Sequence, residues 1–166
     1  VIDNVHDLRD QYGADIVSLI NEDRNYCGIA WIMTSSFLDN FEPYAFNVTY
    51  SSCIGNHSMT HEIGHNEGNA HDRNNAGDAA YEYSYGYRNP SAGFRTIMSY
   101  SCYDIGGSCP RISHLSNPNV NYNGYPTGID YNVDPSNSAD NIRSMNNTFP
   151  IVANWRTSDS VETIPS

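Results

Sequence analysis

Apolar residues recur with helical spacing at the start of the chain. Four of them share one predicted helix face: Val1, Val5, Leu8 and Tyr12. This period predicts an amphipathic helix over residues 1–12, and Gly13 is well placed to end it. Residues 15–20 are mostly aliphatic and predict a short buried strand.

Two further segments carry strand signals. Residues 28–33 form a second apolar stretch, which contains Trp31. Residues 45–50 alternate strictly, with Phe46, Val48 and Tyr50 on one side and Asn47 and Thr49 on the other. That alternation predicts a half-exposed strand, and a helix is expected to start at about Ser58. Strands bracketed by helices indicate an α/β or α+β sheet layer.

The second half of the chain has little periodicity. Residues 68–134 are rich in Gly, Asn, Tyr, Ser and Pro, and a loop region of that length is usually functional or cross-linked. Helical spacing returns over residues 138–155, where Pro150 is expected to kink or interrupt the helix. Residues 157–166 are polar and are predicted to be a tail or linker.

Composition and charge narrow the class of protein. The chain has 166 residues, 19 acidic residues and 8 basic ones, and the basic residues are all Arg. The resulting formal charge of -11 argues against nucleic acid as a partner, since phosphate binding needs a basic face. No apolar run approaches the ~20 residues of a membrane span.

The four cysteines, at positions 27, 53, 102 and 109, predict two disulfides in a secreted, extracellular protein. Three pairings are possible. In one of them Cys102–Cys109 closes a small loop through Gly106 and Gly107, and Cys27–Cys53 is then the second bridge. Four buried free thiols are the alternative.

One motif carries chemistry. Residues 61–72 read His-Glu-Ile-Gly-His-Asn-Glu-Gly-Asn-Ala-His-Asp. His61 and His65 are at i and i+4, so both imidazoles project from one helix face and can share an ion. Gly68 can take a positive φ and turn the chain back, which brings His71 in as a third ligand. Three imidazoles leave one tetrahedral position open, as in a catalytic zinc site.

The position of Glu62 completes the predicted chemistry. Glu62 lies about 100° around the helix from His61, so it flanks the metal and does not ligate it. Zinc lowers the pKa of water to about 7 and polarises a scissile carbonyl. Glu62 is then expected to take the water proton as general base and to deliver it to the leaving amine.

The pattern HExxHxxGxxH at 61–71 resembles the metzincin clan of zinc endopeptidases. The stretch Arg95-Thr-Ile-Met-Ser-Tyr100 is similar to the methionine turn of that clan, with Met98 as the residue beneath the metal. The resemblance implies an α+β zincin fold: a small mixed sheet over an active-site helix, then a loop-rich C-terminal subdomain with a C-terminal helix. It implies a catalytic domain at 1–156, with an upper part at 1–67 and a lower part at 68–156.

Details of the motif resemble a bacterial branch of the reprolysins. Asp72 is similar to the adamalysin or reprolysin pattern, and Tyr100 is similar to the astacin and serralysin tyrosine that ligates zinc or stabilises the transition state. The peptidyl-Asp metalloendopeptidase group combines the two, and it shares runs like Cys109–Arg111 and Ser116–Pro118. This resemblance implies cleavage before acidic residues, with Arg88, Arg95 or Arg111 as the source of positive charge. It also makes residues 28–33 a rim strand that pairs with an extended peptide.

The chain departs from the metzincin pattern at its start. Metzincin domains usually place a strand, a helix and a further strand before the helix matched at 1–12, and these have no counterpart here. We expect the N-terminal strands to be missing, or to belong to a separate N-terminal segment or pro-segment. A sheet without them should expose an edge.

Three other interpretations stay open at this point. A metzincin-like domain could bind proteins without turnover, although Glu62 favours catalysis. A zinc hydrolase could act on a non-peptide bond. The Asp and Asn residues between Asn117 and Asp140 could bind calcium, but Asn-Gly and Asn-Pro turns explain them equally well.

Overall fold

The structure, a computed structural model, describes residues 4–22 and 25–156. The helices are α1 (Val5–Tyr12), α2 (Ser58–Asn66) and α3 (Asn141–Val152). The strands are β1 (Val17–Asn21), β2 (Gly28–Ala30), β3 (Phe46–Tyr50), β4 (Ala70–Asp72), β5 (Tyr85–Gly86), β6 (Arg88–Asn89), β7 (Phe94–Arg95), β8 (Asn121–Tyr122) and β9 (Tyr125–Pro126). Short 3₁₀ turns occupy Leu38–Asn40, Glu42–Tyr44, Ser51–Asn56, Tyr103–Ile105 and Pro135–Asn137.

Two of the sequence predictions fall on positions that the structure does not describe. Val1, the first residue of the predicted helix face, lies outside the described residues, and so does the tail predicted at 157–166. Within the described part of the chain, every helix is too short or too polar to cross a membrane.

A small mixed sheet packs on helix α2. Its strand order is β1-β3-β2, with β1 parallel to β3 and β2 antiparallel to β3. Helix α2 lies against β2 and β3. The α+β class and the sheet over a central helix are therefore confirmed.

The interface between the sheet and α2 is polar. In β3 the alternation places Asn47 and Thr49 in the interior, at 3% and 0% exposure, and leaves the apolar side half-buried. Asn47 Nδ2 donates to Asn66 Oδ1 at 2.9 Å, and Asn66 Nδ2 donates to the Trp31 carbonyl at 3.1 Å. Because these amides bond to one another, their burial is compensated, and they hold the helix at a fixed position under the sheet.

Strand β1 is more exposed than the sequence predicts. Residues 15–20 were expected to form a buried strand, but Leu19 and Ile20 are 41% and 50% exposed. The reason is that β1 pairs with β3 on one side, and among the described residues its other edge is unpaired. The absence of preceding metzincin strands stays a prediction.

The second apolar stretch is a strand only over its first half. Strand β2 ends at Ala30, and the chain then delivers Met33 into a small apolar core with Phe41, Ala45 and Val152. The Met33 N–H donates to the His65 carbonyl at 3.1 Å, which ties this turn to the end of α2.

Helix α1 ends where the sequence predicted. Gly13 is left-handed, with φ 60°, and caps the helix through its backbone N–H. The buried face differs from the prediction, because Arg9 is buried while Tyr12 is exposed. Arg9 donates to the carbonyls of Ala14 and Glu42 at 2.9 and 2.7 Å, so its charge is hydrogen-bonded in the interior.

Polar contacts hold the loop-rich C-terminal part against α2. Asn141 Nδ2 donates to Asn69 Oδ1 at 3.0 Å, and Thr148 Oγ1 donates to the Glu67 carbonyl at 2.9 Å. Helix α3 starts after Asp140, whose side chain accepts from the Arg143 N–H. The interruption expected at Pro150 is wrong: the helix continues to Val152, because a proline in the last turn removes only one helical hydrogen bond.

Two disulfides brace the loops around the site. Cys27–Cys53 joins the start of β2 to the 3₁₀ turn that precedes α2. Cys102–Cys109 closes a loop with a sequence separation of 7 after the methionine turn.

Candidate metal centre and active site

Helix α2 and the turn after it bring three histidines together. His61 and His65 project from one face of α2, which ends at Asn66. Gly68 then adopts φ +86°, and β4 carries His71 back toward the helix. The sequence predicted this return at Gly68 correctly, because a positive φ is open to glycine at no steric cost.

The three imidazoles form a compact triangle. The Nε2 atoms of His61, His65 and His71 lie 3.1 Å from one another in all three pairs. In a tetrahedral zinc site with metal–nitrogen bonds of about 2.0–2.1 Å, ligand nitrogens lie about 3.3–3.4 Å apart. The described residues therefore fit a zinc ion. They contain no other group of three His, Cys, Asp or Glu side chains close enough to hold an ion.

The outer nitrogens of the rings fix their orientation. His61 Nδ1 donates to the Ile97 carbonyl at 2.9 Å, and His65 Nδ1 donates to the Asn69 carbonyl at 2.7 Å. Since these Nδ1 atoms carry the hydrogens, their Nε2 lone pairs point to the common centre. Burial lowers the pKa of all three rings, and neighbouring cationic forms oppose protonation of His61 and His65. The rings are thus neutral, as metal ligation requires.

Glu62 is buried beside the triangle, and burial raises its pKa to about 7 despite the opposing charge of Arg111. A carboxylate with a pKa near neutrality is suited to proton transfer. Strand β2 covers it closely: a Cβ built on Gly28 would lie 2.4 Å from Glu62 Oε1. No sequence signal marks Gly28 as a site residue, because only its tertiary contact with Glu62 distinguishes it from other strand glycines.

Met98 packs against helix α2. It is fully buried, and a Cβ on Gly64 would lie 2.7 Å from its sulfur. Gly64 therefore lets the methionine turn approach the backbone of α2. The neighbouring Ile97 carbonyl receives the His61 hydrogen bond, so this turn both supports and orients a ligand.

Tyr100 lies at the open side of the centre. Its ring centroid is 4.2 Å from that of His71, and the residue is 47% exposed. Its backbone N–H donates to Asp72 Oδ2 at 2.9 Å, and Asp72 also pairs with Arg88 Nε at 3.0 Å. Asp72 thus anchors the turn that carries Tyr100.

A cleft of about 330 Å³ opens onto the histidines. It is lined on one side by β2 and on the other by the triangle, Glu62, Tyr100 and Arg111. Ile29 and Trp31 are exposed beside it. A larger cavity of about 490 Å³ lies beside Tyr81, Tyr83 and Tyr131, but it contains none of the histidines or Glu62.

The three arginines considered as sources of positive charge have different surroundings in the structure. Arg88 is buried in ion pairs with Asp72 and Asp104. Arg95 donates to the carbonyls of Ser99 and Cys109. Among the three, Arg111 is the arginine that lines the cleft.

The acidic residues considered as calcium ligands accept hydrogen bonds from backbone N–H groups. Asp130 accepts from the Asn132 N–H at 2.8 Å, and Asp134 accepts from the Asn137 N–H at 3.2 Å. Asp140 caps helix α3. Aspartate commonly has these roles in turns and at the starts of helices.

This combination of a mixed sheet, a central histidine helix and a buried methionine turn defines a metallopeptidase domain. A reprolysin model of metallopeptidase family M12 matches residues 1–116, and the chain belongs to that family. A solved structure described as a chaperone–substrate complex shares the fold at a TM-score of 0.62 and 20% identity, over 93% of this chain and 23% of that one.

Curated bacterial relatives are named peptidyl-Asp metalloendopeptidase. One from Stenotrophomonas maltophilia (strain R551-3) is 37% identical over 160 residues, which cover 93% of this chain and 35% of the relative. One from Xanthomonas campestris pv. campestris is 34% identical over 157 residues, which cover 93% of this chain and 34% of the relative. The chain thus spans about a third of the length of these relatives.

Proposed function

We propose that the chain is a zinc-dependent endopeptidase that hydrolyses internal peptide bonds. The observation that carries the proposal is the triangle of His61, His65 and His71 with Glu62 buried beside it in one cleft. Family membership and the names of the relatives support the reaction class. Those names also support a preference for aspartate at the scissile bond.

In this mechanism the three neutral imidazoles hold the ion, and Glu62 moves the proton. Zinc supplies Lewis acidity, which polarises the scissile carbonyl and makes water easier to deprotonate. Glu62 accepts the proton of the attacking water at its carboxylate and delivers it to the leaving amine nitrogen. The close cover of Gly28 over the carboxylate keeps it in place between these two transfers.

The other lining residues bind the substrate. The exposed edge of β2 is suited to pair with an extended peptide by strand addition, which places the scissile carbonyl over the histidines. Tyr100 is close enough to His71 to donate from its hydroxyl to the developing oxyanion. Met98 supports the ligand helix from below.

We also propose that the protein is secreted, and the two disulfides support this because they persist in oxidising compartments. We further propose that an N-terminal segment pairs with the edge of β1 that is unpaired among the described residues.

Elemental analysis of the purified chain, with hydrolysis of a denatured protein followed with and without a chelator, tests the proposed function. The expected result is one zinc per chain and cleavage that the chelator abolishes and added zinc restores. Stoichiometric zinc without cleavage would support a binding domain, and a chain without zinc would refute the proposal.

A further inference from the structure

Arg111 lines the cleft, and the described residues use only part of its hydrogen-bonding capacity. Its Nη1 donates to the Asn56 carbonyl at 2.9 Å. Its Nε is buried without a hydrogen-bond partner, and no described residue accepts from Nη2. A guanidinium that lines a cleft and keeps a donor free can bind a carboxylate through a charge-assisted hydrogen bond.

The charge of Arg111 is also unpaired. Among the described residues, no carboxylate forms an ion pair with it, whereas Arg9, Arg88 and Arg156 all have acidic partners. Burial and the neighbouring Arg95 lower the pKa of Arg111 to about 10, so it still carries its charge at neutral pH. A partly buried cation without a carboxylate partner is unexpected in a chain of net charge -11, which contains 19 acidic residues.

The backbone of Arg111 is held rigidly at this position. The Arg95 N–H donates to the Pro110 carbonyl at 3.1 Å, and the Ile112 N–H donates to the Arg95 carbonyl at 2.9 Å. The Cys102–Cys109 disulfide lies two residues upstream. A cation fixed in this way loses little entropy when it binds a ligand, which is how a specificity residue is expected to be built.

We infer that Arg111 is the residue that selects an acidic side chain, aspartate by the relatives' names, immediately after the scissile bond. This inference rests on the proposed function. Arg111 and Glu62 line the same cleft, and in that mechanism Glu62 protonates the leaving amine. The side chain that reaches Arg111 therefore belongs to the residue that contributes this nitrogen. Its carboxylate would accept a charge-assisted hydrogen bond from the guanidinium that lines the cleft.

Two peptides that differ only by Asp or Asn after the scissile bond test the inference, because the two side chains have nearly the same shape. We expect the wild-type protein to favour the Asp peptide in kcat/KM. In Arg111→Gln the Asp/Asn ratio should fall by about 10- to 100-fold, since a charge-assisted hydrogen bond to the substrate carboxylate is lost. Arg111→Lys should keep part of the preference, because it retains the charge without the planar fork.

The ratio separates specificity from a structural effect. Loss of Arg111 also removes a positive charge near Glu62 and so alters the pH profile, but this change affects both peptides equally. Arg143→Gln removes the same charge from a residue that stacks on Tyr83 outside the cleft, and its ratio should match wild type. Circular dichroism of each variant checks folding, and Arg111→Lys serves if Arg111→Gln does not fold.

Calorimetric binding of both peptides to Glu62→Gln, with and without Arg111→Gln, gives a readout that does not depend on turnover. Tighter binding of the Asp peptide only when Arg111 is present supports the inference. An unchanged Asp/Asn ratio in Arg111→Gln overturns it, and so does a wild-type protein that cleaves without preferring Asp. In both of these cases the proposed endopeptidase activity still stands, whereas a wild-type protein that cleaves no peptide would refute that activity.

Discussion

Asp72 Oδ2 accepts the backbone N–H of Tyr100 at 2.9 Å, so the residue after the third histidine holds the residue that follows the methionine turn. The other oxygen of Asp72 pairs with Arg88 Nε at 3.0 Å and accepts from Asn75 Nδ2 at 2.9 Å. One buried carboxylate therefore links β4, β6 and the methionine turn. The link explains how short strands with few apolar contacts keep a catalytic geometry.

Asp72→Ala should destabilise the protein by about 2–3 kcal/mol, because it leaves Arg88 with its charge in the interior and frees the Tyr100 N–H. Urea unfolding measures this loss. Asp104→Ala removes the exposed second partner of Arg88 and should cost much less. Equal losses in the two variants would contradict an anchoring role for Asp72.

Gly28→Ala should impair catalysis while the metal site stays intact. The added methyl group would meet Glu62 Oε1 at 2.4 Å and Cδ at 2.6 Å, so the carboxylate must move. We expect kcat to fall by about 10- to 100-fold, as for a displacement of about 1 Å of a reacting group. Zinc content, measured on the same sample, should match wild type.

Gly55→Ala is the matched control for Gly28→Ala. A Cβ at Gly55 would meet no atom within 4 Å, and the backbone there does not need a positive φ. This variant should keep both activity and zinc. If Gly28→Ala also kept full activity, Glu62 would not need its close cover under β2.

The extent to which the sequence predicted this molecule differs between its parts. The helix with His61 and His65 and the return at Gly68 follow from local spacing, because one helix and one turn determine them. The role of Met98 came from the resemblance to the metzincin methionine turn, since its contact with Gly64 joins distant parts of the chain. The local sequence pattern could not show which side of β3 is buried. Asn47 is buried because its amide hydrogen-bonds to Asn66 on helix α2. Sequence periodicity contains no information about such a pairing between distant residues.

The same limit applies to Arg111. Sequence alone left Arg88, Arg95 and Arg111 as equal candidates for the positive charge of the site. Their tertiary partners distinguish them. Arg88 forms ion pairs with Asp72 and Asp104, and Arg95 donates hydrogen bonds to backbone carbonyls. The exposed face of β1 was likewise not predictable, since aliphatic residues at a sheet edge resemble those of a buried strand.

Glu62→Gln should bind zinc as wild type does but lose most peptide hydrolysis, because the three ligands remain and the general base is gone. The loss in kcat is expected to be about 10²- to 10⁴-fold. In the wild-type protein, activity should fall at acid pH as Glu62 is protonated. Burial places its pKa at about 7, with the charge of Arg111 already opposing that rise. A zinc ion held by the neighbouring histidines would lower the value further, so the acid limb should lie below about pH 7.

Glu67→Gln is the control for Glu62→Gln. Glu67 is buried at the end of the same helix, and burial raises its pKa to about 7 as well, but it does not line the cleft. Its amide variant should keep activity within a few-fold of wild type. Turnover in Glu62→Gln comparable to that in Glu67→Gln would remove Glu62 from the role of general base.

Glu67 should also make stability depend on pH. Its pKa is about 7 in the folded protein and 4.5 in the unfolded chain, so the folded chain binds more protons between these values. Stability from protonated Glu67 is therefore fully present below pH 4.5 and lost as pH rises through 7. Glu67→Gln cannot ionise, so relative to wild type it should gain stability from pH 4.5 to pH 8, on the order of 1 kcal/mol after solvent screening. Urea unfolding of both proteins at equal zinc content measures the difference, and a pH-independent difference would show that Glu67 has the same pKa in the folded and the unfolded protein.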